Sequence, residues 1–229
     1  MRTGWSGKES LNITVDNADI AVLWFGGEIP GPLVGLPVLP AGVRADLDTV
    51  IGGYRRLVVV GADADLAAVL TRLLRTDRLG VEVGYTPVRH TAATRAYRLP
   101  AGRRAARRAR CGSARRAPLI RDETGTVIVG SAVWLPPEEG RQLRGEAVVD
   151  DTVLFDGDVA GVRIEPTATL PGLRARVLGG RGWSPRWQAG RAAQLGSTGA
   201  VMLRDGVRSS RPIRRSTFYR HTEGWLLVR

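Results

Sequence analysis

The chain has 229 residues, 43% of them hydrophobic, so it is long enough to bury one large core or two smaller ones. Its formal net charge is +12, and Lys8 is the only lysine, so arginine carries nearly all of the positive charge. A strongly basic chain suits a polyanionic partner, but arginine with much alanine and glycine is also typical of a GC-rich genome. The charge alone is therefore weak evidence for nucleic acid binding.

Cysteine and histidine are too scarce for the common metal clusters. Cys111 is the single cysteine, which excludes an internal disulfide and suits a reducing compartment. His90 and His221 are the only histidines, which argues against a histidine-rich zinc site. The first ten residues lack the apolar run of a signal peptide, and prolines interrupt the apolar stretch 20–43. We therefore expect a cytoplasmic protein that is not an integral membrane protein.

The first hundred residues predict an α/β lobe. Short apolar runs at 11–15 and 20–25 predict strands, and 45–54 predicts a short helix after a Gly/Pro-rich loop. The segment 56–60 reads Arg-Leu-Val-Val-Val, which indicates a buried strand, and 79–85 alternates like a second strand. Between them a turn at 61–65 leads into leucines and valines at helical spacing. Strand, helix and strand together predict a Rossmann-like βαβ unit.

The remainder predicts an arginine-rich segment followed by a β lobe. Residues 101–116 are interpreted as a solvated linker or a basic arm, and 117–229 as an all-β, sandwich-like lobe after an α/β lobe at 1–100. Asp156-Gly157 and Asp205-Gly206 are typical of hairpin turns. The predicted strands are 126–135, 146–149, 153–155, 159–164, 173–178, 191–195, 200–203 and 225–228.

The segment 58–66, Val-Val-Val-Gly-Ala-Asp-Ala-Asp-Leu, resembles the strand, Gly-Gly-Asp-Gly-Thr loop and helix of the diacylglycerol kinase and NAD kinase superfamily. Gly61 and Asp63 match that loop, whereas Ala62 and Ala64 replace glycines and Asp65 replaces the threonine. Added β-carbons restrict the backbone, and a further carboxylate repels phosphate. From the residues alone, an ordinary strand-to-helix turn with an acidic N-cap is the alternative interpretation.

The resemblance continues along the chain. Residues 83–87 and 95–100 are similar to the strand ending in proline and the helix closing on Gly-Leu-Pro that frame the superfamily's Gly-Thr-Gly-Asn-Asp loop. That loop reads Val-Arg-His-Thr-Ala here, with His90 and Thr91 at its centre. Near the other end, residues 204–207 are similar to an Asp-Gly-Glu turn, with Asp205 kept and Val207 in place of the glutamate.

The resemblance implies a phosphotransferase frame with altered chemical loops. It implies ATP and magnesium as cofactors, Asp63 as catalytic base or metal partner, and Asp205 as a metal-linked residue. Nucleotide phosphates would lie over Gly61, Ala62 and Ala64, near His90 and Thr91. Because each loop departs from the family pattern, we predict a degenerate protein whose phosphotransfer is reduced or lost. If it is active, the resemblance implies an ATP-dependent phosphotransferase; if it is not, we expect a non-catalytic protein that binds a nucleotide or an anionic lipid. Whether the chain forms a homo-oligomer is left open.

Other classes of protein stay open at this point. The arginines of 103–116 and of the C-terminal region predict a basic module for nucleic acid or anionic lipid, and a scaffold with no small-molecule ligand is a third hypothesis. A response-regulator receiver has a similar first strand and helix, but it requires an acidic pair at the strand end and a later lysine. A Ser216, His221 and Asp205 triad lacks a nucleophile elbow, so a surface hairpin is the simpler interpretation of that region.

Overall fold

The computed structural model describes residues 19–41, 53–138, 140–179 and 186–229, which form two sheets. A 3-10 turn at Gly31–Leu33 and three helices accompany them: α1 Asp63–Arg75, α2 Ala92–Tyr97 and α3 Gly102–Cys111. The strands in chain order are β1 Ile20–Trp24, β2 Val38–Pro40, β3 Arg56–Val60, β4 Glu82–Tyr85, β5 Ala114–Ala117, β6 Ile120–Asp122, β7 Val127–Ile128, β8 Ala132–Leu135, β9 Leu143–Val149, β10 Thr152–Val159, β11 Gly161–Pro166, β12 Leu173–Leu178, β13 Gln188–Gly190, β14 Ala192–Arg204, β15 Val207–Arg208, β16 Ile213–Arg220 and β17 Trp225–Val228.

The first sheet has the order β2-β1-β3-β4-β17-β5, and its pairs are parallel except for the last. All five residues of β3 are buried because helices cover both faces of the sheet. Leu57 and Val59 pack with the apolar stripe of α1, whereas Val58 and Val60 pack with Ala106 and others of α3. The parallel pairing of β3 and β4 around α1 confirms the predicted βαβ unit.

The C-terminal strand β17 belongs to this first sheet and lies between β4 and β5. The strand order therefore differs from the predicted division, in which residues 117–229 form only the β lobe. The physical reason is burial: Trp225 and Leu227 are 1% and 0% exposed, and they pack into the same core as α1 and α2. The rings of Trp225 and Tyr97 are nearly perpendicular, with centroids 5.3 Å apart.

Residues 101–116, interpreted above as a linker or arm, form α3 and β5 instead. Alanines at helical spacing, Ala105, Ala106 and Ala109, are buried, and Gly84 of β4 lets the helix approach because a Cβ there would lie 2.6 Å from Ala109 Cβ. The buried Arg56 holds the end of α3 by donating to the carbonyls of Ala109, Arg110 and Gly112 at 2.7–3.2 Å, the carbonyls that a helix leaves free. Its Nε also donates to Glu82 at 2.6 Å.

The second sheet is antiparallel and turns about the long strand β14. The first part of β14 pairs with β9 and β16, and its last part, beyond an irregularity between Gly196 and Ala200, pairs with β8 and β15. Side chains from both parts of the sheet share one core that includes Trp134 and Phe218. An α/β part followed by an antiparallel β part is thus confirmed as the fold class.

Several strand ends differ from the sequence predictions. The predicted strand 126–135 is interrupted between β7 and β8, and 191–195 with 200–203 form the single strand β14. Asp156-Gly157 lies inside β10, paired with Glu146 and Gly145, so the hairpin predicted there is wrong. The segment near His221 is likewise not a hairpin, because β16 and β17 belong to different sheets.

Two predictions fall wholly or mainly outside the described residues, namely the strand at 11–15 and the helix at 45–54. Among the helices that the structure describes, none is long and apolar enough to cross a membrane.

Candidate functional site

The loop between β3 and α1 is closed by its own acidic residue. The N–H of Ala62 donates to Asp65 Oδ2 at 2.7 Å, and a Cβ on Gly61 would lie 2.5 Å from the same oxygen. Asp65 therefore occupies the position at the helix N-terminus where the backbone would otherwise receive an anion. Any larger residue at position 61 would therefore have to displace this carboxylate.

Asp63, the predicted catalytic residue, has a partner on each carboxylate oxygen. Tyr85 Oη donates to Oδ1 at 2.8 Å, and the N–H of Ala93 in α2 donates to Oδ2 at 3.1 Å. Burial and the charge of Asp63 raise the pKa of Tyr85 far above its ordinary value, so the phenol stays a hydrogen-bond donor. Asp63 thus ties α1, β4 and α2 together.

Asp205, the predicted metal-linked residue, lies in a two-residue hairpin between β14 and β15. Asp205 and Gly206 have φ of +47° and +86°, as the predicted Asp-Gly turn requires. Its carboxylate accepts the N–H groups of Gly130 and Ser131 at 2.7 and 2.9 Å through Oδ1, and that of Val129 at 3.0 Å through Oδ2. These bonds hold the segment between β7 and β8 open, which is why the strand predicted at 126–135 is broken.

Gly130 is the point where the two aspartates meet. A Cβ on Gly130 would lie 2.7 Å from Asp63 Oδ2 and 3.0 Å from Asp205 Oδ1, and 2.9 Å from Ala92 Cβ. The fold therefore brings together two predicted site residues that are far apart in the chain, one from each part of the fold. Only glycine fits at the junction.

The pH dependence of the free energy of unfolding should reveal the titration of Asp205 at this junction. Burial raises the pKa of Asp205 to about 6 and the Asp63 carboxylate adds to the rise, although the three N–H donors act in the opposite direction. The folded protein therefore binds this proton more tightly than the unfolded chain, and the resulting stabilisation is complete below about pH 4 and lost as the pH rises through about 6. Between these values we expect wild type to lose stability relative to Asp205→Asn, by at most about 1.4 kcal/mol per pH unit.

Urea unfolding of both proteins at half-unit steps from pH 4 to pH 7 measures the difference. Parallel profiles would contradict the assignment of the titration to Asp205.

His90 and Thr91, predicted to contact a nucleotide, lie at the start of α2. Thr91 is its N-cap: the Thr91 hydroxyl accepts the N–H of Thr94 at 3.2 Å, and the Thr94 hydroxyl accepts the N–H of Thr91 at 2.8 Å. His90 is exposed, with Nδ1 3.4 Å from the Thr94 hydroxyl. These capping bonds fix the first turn of α2, from which the N–H of Ala93 donates to Asp63.

At the positions that would meet magnesium and a nucleotide phosphate, the residues present differ from those of the superfamily loops. Among the described residues, no group of three or more His, Cys, Asp or Glu side chains could hold a metal ion by itself, so Mg²⁺ would need phosphate and water oxygens as its remaining ligands. Val207, at the position of the superfamily's glutamate, is 60% exposed and offers no oxygen. At the loop, a phosphate would have to displace the carboxylate of Asp65.

A pocket of about 430 Å³ lies beside the junction, between α1 and the β14–β15 hairpin. Its apolar residues are small and its rim is basic. Ala64, predicted to lie near phosphates, lines this pocket. The other lining residues are Ala67, Ala68, Thr71, Arg72, Arg75, Thr126, Val127, Arg204, Asp205, Val207, Arg208 and Ser209. Thr71 also accepts the N–H of Val127 at 2.9 Å, which joins α1 to the second sheet.

Tyr85 and Gly130 are site residues that the sequence reasoning missed. The isolated glycine in Ile-Val-Gly-Ser at 128–131 was a usable signal, because glycine within a strand pattern often marks a close backbone approach. The partnership of Tyr85 with Asp63 had no local signal, since it depends on how β4 lies beside α1.

The arrangement is that of a two-part chain with an aspartate junction between a parallel and an antiparallel sheet. Comparison with solved structures finds a diacylglycerol kinase from Bacillus anthracis with a TM-score of 0.67 and 10% identity, covering 92% of this chain and 96% of that one. An NAD kinase from Archaeoglobus fulgidus in complex with ATP has a TM-score of 0.59 and 12% identity, covering 92% and 93%. Yeast NADH kinase complexed with NADH gives 0.58 and 8%, covering 92% and 82%.

No protein-family model matches the chain, and neither does any curated protein sequence. At such low identities the comparisons establish the fold alone. The chain has the fold of the diacylglycerol kinase and NAD kinase superfamily, as the resemblance of its loops indicated.

Proposed function

We propose that this chain is a non-catalytic protein with the diacylglycerol and NAD kinase fold, which binds an anionic amphiphile beside the aspartate junction and does not transfer phosphate. The observation that carries the proposal is the carboxylate of Asp65, which receives the Ala62 N–H and packs against Gly61. An anion already built into the chain leaves no room for the phosphates of a donor nucleotide, and its charge repels them.

The two remaining aspartates support the same proposal. Both oxygens of Asp63 and both of Asp205 accept hydrogen bonds from within the protein. A general base must reach the proton that it removes, and Asp63 instead accepts from a tyrosine and a helix N–H. Asp63 ties α1 to β4 and α2, and Asp205 holds the segment 129–131, so each carboxylate has a structural role.

The pocket beside the junction supports the ligand class. Its floor is formed by the small side chains Ala64, Ala67 and Ala68, which suit an apolar chain. Arg75 and Arg208 lie at its rim, are exposed, and make no ion pair with any residue in the described part of the chain. Apolar floor and free guanidinium groups together suit a ligand with an acyl-like tail and an anionic head.

The first experiment tests the lost phosphate site. We expect no magnesium-dependent thermal shift of wild type at millimolar ATP or NAD. The triple variant Ala62→Gly/Ala64→Gly/Asp65→Thr removes the internal anion, and we expect it to gain a shift with Mg-ATP. A magnesium-dependent shift of wild type that Asp63→Asn abolishes would instead indicate a surviving phosphotransfer site and would overturn the proposal.

The second experiment tests the pocket with dodecyl phosphate below its micelle concentration. A ligand at 100 times its dissociation constant stabilises the fold by about 2.7 kcal/mol, which is a shift of several degrees. We expect Arg75→Gln/Arg208→Gln to lose most of this shift and Arg211→Gln/Arg215→Gln, which removes equal charge outside the pocket, to keep it. An equal response to inorganic phosphate would mean that the apolar floor contributes nothing.

A further inference from the structure

The outer side of α3 carries an arginine face. Arg103, Arg104, Arg107 and Arg108 are all exposed, while the alanines between them are buried against the first sheet. Arg103 with Arg107 and Arg104 with Arg108 are neighbours at i,i+4, and at 3.6 residues per turn all four lie within roughly 140° of the helix circumference, so their guanidinium groups form one broad face. With Cys111 and Gly112 they line a groove of about 470 Å³.

This face lacks the neutralising partners that other arginines of the chain have. Arg163 and Arg174 bond to Glu165, and Arg204 bonds to the buried Asp122. By contrast, no carboxylate of the described residues lies within ion-pair distance of the four arginines on α3. Within the described structure these four arginines therefore have no direct ion pair, and Glu28, which lines the same hollow as Arg103, is the acidic residue near the start of the helix.

The placement of the charge is unfavourable for the helix itself. Arg103 and Arg104 lie in the first turn of α3, which has no acidic residue and no side-chain cap. Cations near a helix N-terminus oppose the helix dipole, and four like charges on one face repel each other. An external anion bound to this face would reduce both the unfavourable interaction with the helix dipole and the repulsion between the arginines.

Two exposed aliphatic residues adjoin the arginine face. Val34 is 66% exposed, and its carbonyl accepts a hydrogen bond from Arg110 of the same helix at 3.3 Å. Val88 is 77% exposed and lines a hollow together with Arg103 at the start of the helix. Basic residues flanked by exposed aliphatic side chains suit the interface of an anionic bilayer. Residues 101–116 include no aromatic residue on which nucleic acid bases could stack.

We propose that the arginine face of α3, with Val34 and Val88 beside it, docks the protein on an anionic membrane surface. The first sheet holds the face rigidly, because Ala105, Ala106 and Ala109 are buried and Arg56 fixes the far end of the helix. Binding of this kind needs no ligand in the pocket beside the aspartate junction, so it stands apart from the function proposed for that pocket.

Co-sedimentation with vesicles tests the proposal. We expect wild type to bind vesicles of phosphatidylglycerol and phosphatidylcholine and not vesicles of phosphatidylcholine alone. Each basic residue near an anionic surface adds roughly five-fold to the partition coefficient, so Arg104→Gln/Arg107→Gln/Arg108→Gln should lower it roughly 100-fold. The matched control Arg211→Gln/Arg214→Gln/Arg215→Gln removes the same charge from exposed residues elsewhere and should lower it only a few-fold.

A double variant at the two exposed valines distinguishes a membrane from a nucleic acid as the partner of this face. Val34→Ser/Val88→Ser keeps every charge, and we expect it to weaken vesicle binding several-fold at 0.3 M salt while binding to a single-stranded oligonucleotide stays the same. Circular dichroism and thermal melting establish that each variant is folded. Three outcomes would overturn the proposal. They are an equal loss of vesicle binding in the two triple arginine variants, no vesicle binding by wild type, and tighter binding to the oligonucleotide than to vesicles.

Discussion

Asp205→Ala is expected to lower the free energy of unfolding by about 2–4 kcal/mol, because it leaves buried N–H donors without an acceptor and strains the backbone. The carboxylate accepts three backbone N–H groups at 2.7–3.0 Å, and Val129 and Gly130 are buried. Alanine leaves these donors without an acceptor and is also disfavoured at the φ of +47° that residue 205 adopts. Urea unfolding at pH 7 measures the loss.

Asp205→Asn is the matched control for this prediction. Asparagine tolerates the left-handed backbone and keeps one acceptor oxygen, so we expect a smaller loss of about 1–2 kcal/mol. If alanine and asparagine cost the same, neither the backbone conformation nor the bonds that asparagine keeps would contribute, and the loss would come from the second carboxylate oxygen, which both variants remove. A loss below 1 kcal/mol for alanine would mean that the 129–131 segment does not need Asp205.

Arg56→Met is expected to destabilise the protein by about 2–4 kcal/mol. Methionine has a similar length, but it removes the donors for three carbonyls at the end of α3 and one partner of Glu82. We expect the loss to appear as a lower urea midpoint with an unchanged m-value, because the extent of surface exposed on unfolding is the same.

The neighbouring Arg55 provides the control. It also pairs with Glu82, at 2.8 Å, but its side chain is 50% exposed and its other partner is the exposed Asp19. Exposed ion pairs contribute little, so Arg55→Met should cost less than about 1 kcal/mol. Similar losses at positions 55 and 56 would show that the pair with Glu82, and not the bonds to α3, carries the effect.

Sequence periodicity predicts well those elements whose buried face is determined by their own apolar residues. The run 57–60 is apolar on both faces and α1 carries an apolar stripe on one, so the burial of each follows from its own sequence, and both elements are present. The arginine run 101–116 was misread because charge dominates its composition, while its helix depends on three small alanines and on Gly84 of another strand. The position of β17 could not be predicted, since nothing within residues 225–228 says which sheet receives them.

The candidate site was predictable as a set of residues but not as a set of interactions. The loop resemblance identified Asp63 and Asp205, and the Asp-Gly dipeptide predicted the hairpin that holds the second of them. That Asp65 would turn back onto Ala62, and that Tyr85 would occupy an oxygen of Asp63, are consequences of side-chain placement. These interactions differ from the nucleotide-facing loop that the resemblance implied.

The insertion of β17 between β4 and β5 bears on how the chain reaches its folded state. Its parallel pairing joins Leu226 and Leu227 to Glu82 and Val83, so the first sheet cannot be completed until the intervening second sheet has brought the two segments together. Contacts so distant along the chain carry a large entropic cost and slow folding. The two sheets should therefore unfold in one cooperative transition, and a fragment that stops at residue 120 would expose the unpaired edge of β4 to aggregation.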